Sequence, residues 1–450
     1  MANVIKIKRG LDIHLRGTAA NVILEGKPSE TYAVLPASFH GIVPKVVVKP
    51  GDKVKAGTTV MTDKNKPEIK LVSPVSGEVT AVNRGDKRKL LSIVIKPDTG
   101  TTDYIAFGAK DVKALSSQEV KESLLEAGLW PFIKQRPFDI VASPADTPRD
   151  IYLSTFYSAP LAPDFSYIVR GREDDFQTGL DVMNKLTGGK VYVGIRRGAK
   201  LPLKGVEVIE VEGPHPAANV SVLINHTKPI NKGETIWTVS PDNLITIGAL
   251  FNKGIADFSR LVAVTGSETT ERGYIRTIAG CTIRSLVQGK VMEGVDKVRL
   301  ISGNVLTGVR VSKDDYLLAS DNQITAIPEG DNDHDFLGWA LPGLNKFSVS
   351  RTFLSWLMGK KKEYVIDARI RGGKRAMIMS NEYDKVFPMD IYPEFLLKAI
   401  ITFDIDKMEN LGIYEVAPED FALCEFVDTS KIELQEIVRS GLDLLYKEMN

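Results

Sequence analysis

IYLSTFYSAPLAPDF, residues Ile151 to Phe165, is the stretch from which the fold is read. A short β-favouring run stops abruptly at Ser158, Pro160 and Pro163, as a strand does when it leaves a sheet. The next segments keep the alternation. A helix is expected over Arg172 to Leu186, closing on Gly188 and Gly189, then a strand over Lys190 to Ile195. Val206 to Ile224 reads as further β structure, Thr235 to Val239 as a strand, and Asp242 to Phe251 as a helix capped by Asp242. Strand and helix in turn predict a parallel, doubly wound sheet, a Rossmann-like α/β domain. Such a sheet binds its ligand beyond the carboxyl ends of the strands. No nucleotide fingerprint follows the strand: GxGxxG and the phosphate loop GxxxxGK with Ser or Thr are both absent there. GRED (Gly171 to Asp174) also sets two acids at a helix start, where they repel phosphate.

At 450 residues the chain needs three or four cores. Its charged fraction is 26%, yet 58 basic residues face 57 acidic ones, so the balance of +1 gives no long-range pull on nucleic acid or anionic lipid. The longest apolar runs fall short of the roughly 18 residues needed to span a bilayer, and Phe395 to Phe403 holds Lys398. MANVIKIKRGLDIHL lacks the apolar core and cleavage site of a signal peptide, so any membrane role is peripheral. Cys281 and Cys424, the 2 cysteines, exclude a disulfide framework and an iron–sulfur cluster built on this chain alone. His226 and His40 lack partners at metal-ligand spacing, and no metal site is expected.

Ahead of the α/β region, VVVKPGDKVKAGTTVMTDKNKPEIKLVSPVSGEVTAV is a series of short β runs punctuated by Pro50-Gly51-Asp52, Ala56-Gly57 and Pro74 to Gly77. It predicts a compact β-sandwich and resembles the biotinyl/lipoyl hammerhead. In that family a tip lysine carries the prosthetic group, which makes Lys64 or Lys66 the candidates. The longer tip, Pro67 and the lack of Met-Lys-Met favour an unmodified, structural hammerhead.

SSQE (Ser116 to Glu119) is a capping box for a helix ending at Gly128. Beyond it LWPFIKQRPFDIVASP (Leu129 to Pro144) alternates Trp130, Phe132 and Phe138 with Lys134 and Arg136 between two prolines. The prolines exclude a regular helix, leaving an extended segment. Two readings stand: a surface strip that holds a flat ring and donates to its carbonyl, or a loop whose aromatics plug a domain junction. In GPHPAAN, His215 between two prolines is expected as a rigid, exposed imidazole able to donate a proton.

Residues 257–330 follow the strand and helix order of a β-grasp unit. DNDHD (Asp331 to Asp335) is similar to a calcium loop, but Phe336 and Pro342 stand where glycine and glutamate are required, so it is rejected. The remainder is mainly helical: an amphipathic helix over Ser348 to Met358, one from Pro393 to Phe403, and one from Pro418 to Phe426. A second capping box, SKIE (Ser430 to Glu433), opens a last helix with Leu434, Ile437, Val438, Gly441 and Leu445 as a core stripe.

KRGLDIHLRG, the hammerhead, GLWPFIKQRPFD, IYLSTFYSAPLAPD, GPHPAANVSV, IWTVSPDNLITIGALF and SKIELQEIVRSGLDLL together resemble the NqrA family of sodium-translocating NADH:quinone reductases. The resemblance covers nearly the whole chain. More distantly the chain looks like the C subunits of Rnf complexes, and like the NADH-binding subunits of complex I. It lacks the ferredoxin-type cysteines of the first, and the GG comparable to the glycine-rich segment by which the second binds FMN and NADH, Gly372-Gly373, lies in the C-terminal region.

The family implies residues 1–110 as hammerhead, 111–256 as Rossmann-like, 257–330 as a soluble-ligand-binding β-grasp (SLBB-like) domain, and 331–450 as a mainly helical domain. It also implies a peripheral component with no redox cofactor of its own, on the cytoplasmic face of the bacterial inner membrane. That component docks on the membrane-embedded NqrB, one of five partner subunits. FAD, FMN, riboflavin and iron–sulfur centres sit on those partners, and ubiquinone or menaquinone is the substrate. The stretches tied to quinone map to Trp130, Phe132, Arg136, Phe138, Phe39 and His40, with His215 as a further proton donor. The rivals are a docking scaffold that never touches quinone, a flavin or NADH enzyme in its own right, and a lipoyl or biotin carrier.

Overall fold

The computed structural model describes residues 3–292, 297–331, 342–359 and 361–449. Among these, strands form four sheets, of seven, five, four and three strands. The largest is built around Ile151–Ser154. Val191–Arg196 and Glu207–Glu212 lie on one side of it and Ile236–Val239 on the other, all parallel. Ile133–Arg136 and Ile140–Val141 extend the second side antiparallel. Successive side chains of a strand face opposite ways, and here both faces are buried. Ile151 and Leu153 join one core with the helices Glu173–Leu186 and Pro241–Lys253. Tyr152 and Ile236 join a second core with the helix Val220–Asn225 and the C-terminal helices.

The sheet corrects three expectations. The first residues, grouped with the hammerhead in the 1–110 reading, form the strand Asn3–Lys6 and pair with Ile209 to Glu212 at the edge of the α/β sheet. The second half of Val206 to Ile224 is helical, because GPHPAAN breaks the strand and Val220 to Ile224 then finds a buried face. Ser240, not Asp242, caps its helix, accepting from the Asn243 amide. Asp242 turns instead into a buried contact with Tyr157.

Tyr32–Val34, Leu90–Pro97, Gly77–Arg84 and Lys53–Val54 form one sheet of the N-terminal sandwich. Pro44–Val46, Thr59–Asp63 and Lys70–Val72 form the other, and Val60, Met61, Val79 and Ile93 fill the space between. Lys64 lies exposed in the turn between Asp63 and Lys70. In the β-grasp unit the parallel pair Ser259–Thr265 and Gln323–Pro328 is flanked by Gly273–Ile278 on one side and by Val298–Ser302 and Val309–Val311 on the other.

Ser116 and Glu119 close their capping box as read. SKIE does not, since the Ser430 hydroxyl donates to the Ala376 carbonyl and the helix spans Leu434–Met449. That helix buries Leu434, Val438, Leu442 and Leu445 against Leu396, Leu397 and Phe421. Ser348 to Met358 is not an amphipathic helix: its only helical part is the 3-10 turn Leu354–Met358. The rejected calcium loop falls, past Asp331, outside the described residues.

Candidate functional site

Apart from the exposed Lys134, the aromatic and basic segment lies inside the molecule, which overturns the surface strip and matches the plugged junction. Pro131 fits the first turn of the 3-10 helix Trp130–Phe132, after which the chain enters the sheet as Ile133–Arg136. Trp130 is fully buried, its Nε1 donating to the Ala142 carbonyl at 2.8 Å and its ring edge-on to Trp237. Phe138 is buried against Tyr446, and its carbonyl accepts from Arg439 at 2.5 Å.

Arg136 is buried as well. Its Nε lies 3.6 Å from Asp139 and its Nη2 3.6 Å from Glu419, while Nε and Nη1 hydrogen-bond no described residue. Burial pushes the Asp139 carboxyl up, but Lys134, Arg136 and Arg439 outweigh it and hold the group below the usual range. Desolvation and the neighbouring Asp420 raise Glu419 against the pull of Arg136, although its side chain is 46% exposed. These groups neutralise one another at the seam between the sheet and the C-terminal helices.

Phe132 meets Phe39 edge-on at 5.3 Å, with Phe258 at 6.3 Å. Those three rings, with Val72, Ala33 and Ala279, line an apolar slot where sandwich, α/β domain and β-grasp unit meet. Its 40 Å³ has room for a few water molecules, so a six-membered ring enters only when side chains swing aside. His40 follows Phe39, is exposed, and places Nε2 2.8 Å from the Asp443 carboxylate. The structure therefore brings together Phe39 and Phe132, leaves His40 at the surface, and turns Trp130, Arg136 and Phe138 into packing.

His215 is not the exposed imidazole expected from its two prolines. It is 5% exposed, its Nδ1 lies 2.9 Å from the Ser158 hydroxyl, and its amide donates to Asp12. Burial pushes it down to about 4, so near neutral pH it carries no charge to deliver.

Ser158 also lines a cleft of 770 Å³ beyond the carboxyl ends of the parallel strands, the position expected for this architecture. Its polar wall was not singled out in advance. Arg196 sets its guanidinium 5.5 Å over the Phe156 ring and donates to the Tyr157 carbonyl. Arg197 pairs with Glu212 at 2.6 Å. The Tyr157 hydroxyl donates to buried Asp242, which also accepts from Asn322 at 3.0 Å. Arg196 and Arg197 end a strand and were findable from the carboxyl-end rule. His14 and Lys361 reach the cleft from distant segments, and nothing in their local sequence signals it.

Residues 5–98 match the family model of the NqrA N-terminal barrel-sandwich hybrid domain. Residues 115–256 match the NqrA second alpha/beta domain, and 261–313 the NQRA C-terminal domain. The NqrA component of the Na(+)-translocating NADH-quinone reductase of Vibrio anguillarum is 36% identical over 451 residues, covering 99% of this chain and all of the relative. That of Shewanella amazonensis is 35% identical over 446 residues with the same coverage. The chain belongs to the NqrA family. The NqrA domains fall on the sandwich, the α/β sheet and the β-grasp unit, so the multidomain mixed α/β architecture is shared with the family. The match to the α/β domain spans the Trp130 to Phe138 segment and the part of the cleft wall from Phe156 to Gly213, while His14 and Lys361 lie outside it.

Proposed function

We propose that this chain is the cofactor-free peripheral subunit of a sodium-translocating NADH:quinone reductase. On this reading it docks on the membrane-embedded NqrB at the cytoplasmic face of the bacterial inner membrane. Its central sheet serves as a Rossmann-like scaffold and its C-terminal helices as a helical domain packed against one face of that sheet. It meets ubiquinone or menaquinone as semiquinone is converted to quinol, with electrons arriving from a partner's cofactor. The full-length similarity to relatives from such a complex supports the assignment. Among the described residues no helix is long and apolar enough to cross a membrane.

The observation that carries quinone contact is the slot between Phe39 and Phe132, apolar and set where three modules meet. Burying a flat ring there gains roughly 25 cal/mol per Å² of apolar contact. His40, exposed next to Phe39 and anchored by Asp443, is the group placed to pass a proton. Arg136 and His215 are too enclosed to meet a carbonyl without rearrangement.

Photolabelling the assembled complex with a quinone analogue tests the reading. Adducts are expected between Ala33 and His40 or between Gly128 and Phe132, and lost in Phe132→Ala. Label confined to the membrane-embedded partner refutes it and leaves the docking scaffold, the reading favoured by the burial of Trp130 and Phe138.

A further inference from the structure

The 3-10 turn Leu354–Met358 presents apolar side chains to solvent: Leu354 is 45% exposed, Trp356 48%, Leu357 62% and Met358 58%. The turn is held from inside. Buried Ser355 donates from Oγ to the Lys346 carbonyl at 2.5 Å, and the Leu354 amide donates to Pro342 at 2.9 Å. Phe347 packs edge-on to Tyr364, whose amide donates to His14. The apolar tip is thus fixed outward by its own scaffold.

The sequence that flanks it is mostly basic. From Pro342 to Tyr364 the chain carries Lys346, Arg351, Lys360, Lys361 and Lys362 against the single acid Glu363. Arg351 lies 5.6 Å over the Trp356 ring, and Lys361 is exposed. An apolar tip with a tryptophan under an arginine and flanked in sequence by lysines has the layering of a bilayer interface, where hydrocarbon lies beneath anionic headgroups. We propose that Leu354 to Met358 inserts into the headgroup layer of an anionic membrane, holding this chain to lipid directly. The inference is independent of whether quinone binds here.

The test uses the purified full-length chain and vesicles of phosphatidylcholine with or without phosphatidylglycerol. Cosedimentation with the phosphatidylglycerol vesicles is expected, weakening as salt rises. Arg351→Glu with Lys361→Glu is expected to weaken it about thirtyfold or more, at roughly a fivefold effect per cation near the surface. Trp356→Ser with Leu357→Ser is expected to abolish it, with an unchanged thermal midpoint showing that the fold persists. Brominated lipid should quench fluorescence in the wild type and not in Trp356→Phe. The proposal is overturned if the chain ignores anionic vesicles, binds neutral ones equally, binds only when the membrane-embedded partner is reconstituted, or keeps its affinity in the serine variant.

Discussion

His215 shows how a local motif misleads when burial is decided elsewhere. The two flanking prolines do fix the backbone, but Asp12 and Ser158 come from distant segments, and they turn the imidazole inward. The sequence made the residue visible and left its solvent exposure open. The sign of its pH effect follows from burial. A histidine held at about 4 when folded and 6.5 when free binds its proton more readily unfolded. Its stability cost is absent above 6.5, grows as pH falls through that window, and is complete below about 4. The full cost is about 3 kcal/mol. Urea unfolding at a series of pH values should show a shallower acid slope for His215→Asn than for the wild type. Equal slopes would mean that the imidazole is not held neutral. The same interior logic applies to Arg136, whose basic character was legible while its confinement by Glu419, from the C-terminal region, was not.

At the level of elements, order and type were largely legible because periodicity is local. The strand Ile151–Ser154, the helix Glu173–Leu186 and the buried stripe of Leu434–Met449 all stand close to their expected places. What failed was end chemistry and exposure. Asp242 looked like a cap, but Ser240 stands one residue ahead of Pro241, which fits the first helical turn. Leu354 to Met358 looked like a core face, yet too little surrounds it.

One contact between elements decides how tightly the α/β face closes. The helices Glu173–Leu186 and Pro241–Lys253 cross at Gly179 and Gly248, where a Cβ on Gly248 would stand 1.7 Å from the Asp175 carbonyl oxygen. That atom is backbone and cannot swing away. Gly248→Ala should therefore cost about 2–3 kcal/mol or more in urea unfolding, despite alanine's better helix propensity. Gly188→Ala, with nothing within 4 Å, should stay within about 0.5 kcal/mol of wild type. A neutral Gly248→Ala would show that the two helices do not meet backbone to backbone.

Across the whole molecule, the modules are joined by a strap that no motif announced. Residues 3–34 pair in turn with each neighbour: Asn3–Lys6 with Glu207–Glu212, Leu15 with Tyr364, Ile23 with Tyr274, and Tyr32–Val34 with Leu90–Pro97. Such long-range pairings have no local signature, and so these residues read as the front of one domain when they serve several. The strap meets the β-grasp unit backbone to backbone at Gly17, whose carbonyl accepts from the Gly266 amide at 2.9 Å. Gly17 has φ +113°, and a Cβ there would lie 2.2 Å from the Gly266 carbonyl oxygen, so a side chain meets both strain and collision. Gly17→Val should lift the strap from this unit while leaving the α/β core intact. Amide exchange in Gly273–Ile278, which pairs with the strap through Tyr274, should then accelerate by about tenfold or more, an opening made easier by at least about 1.4 kcal/mol. Exchange in Ile151–Ser154, buried at the centre of its sheet, should stay as slow as before. Equal acceleration of both would mean that the strap stabilises the molecule as one cooperative body, and no acceleration of either would remove its role as a clamp.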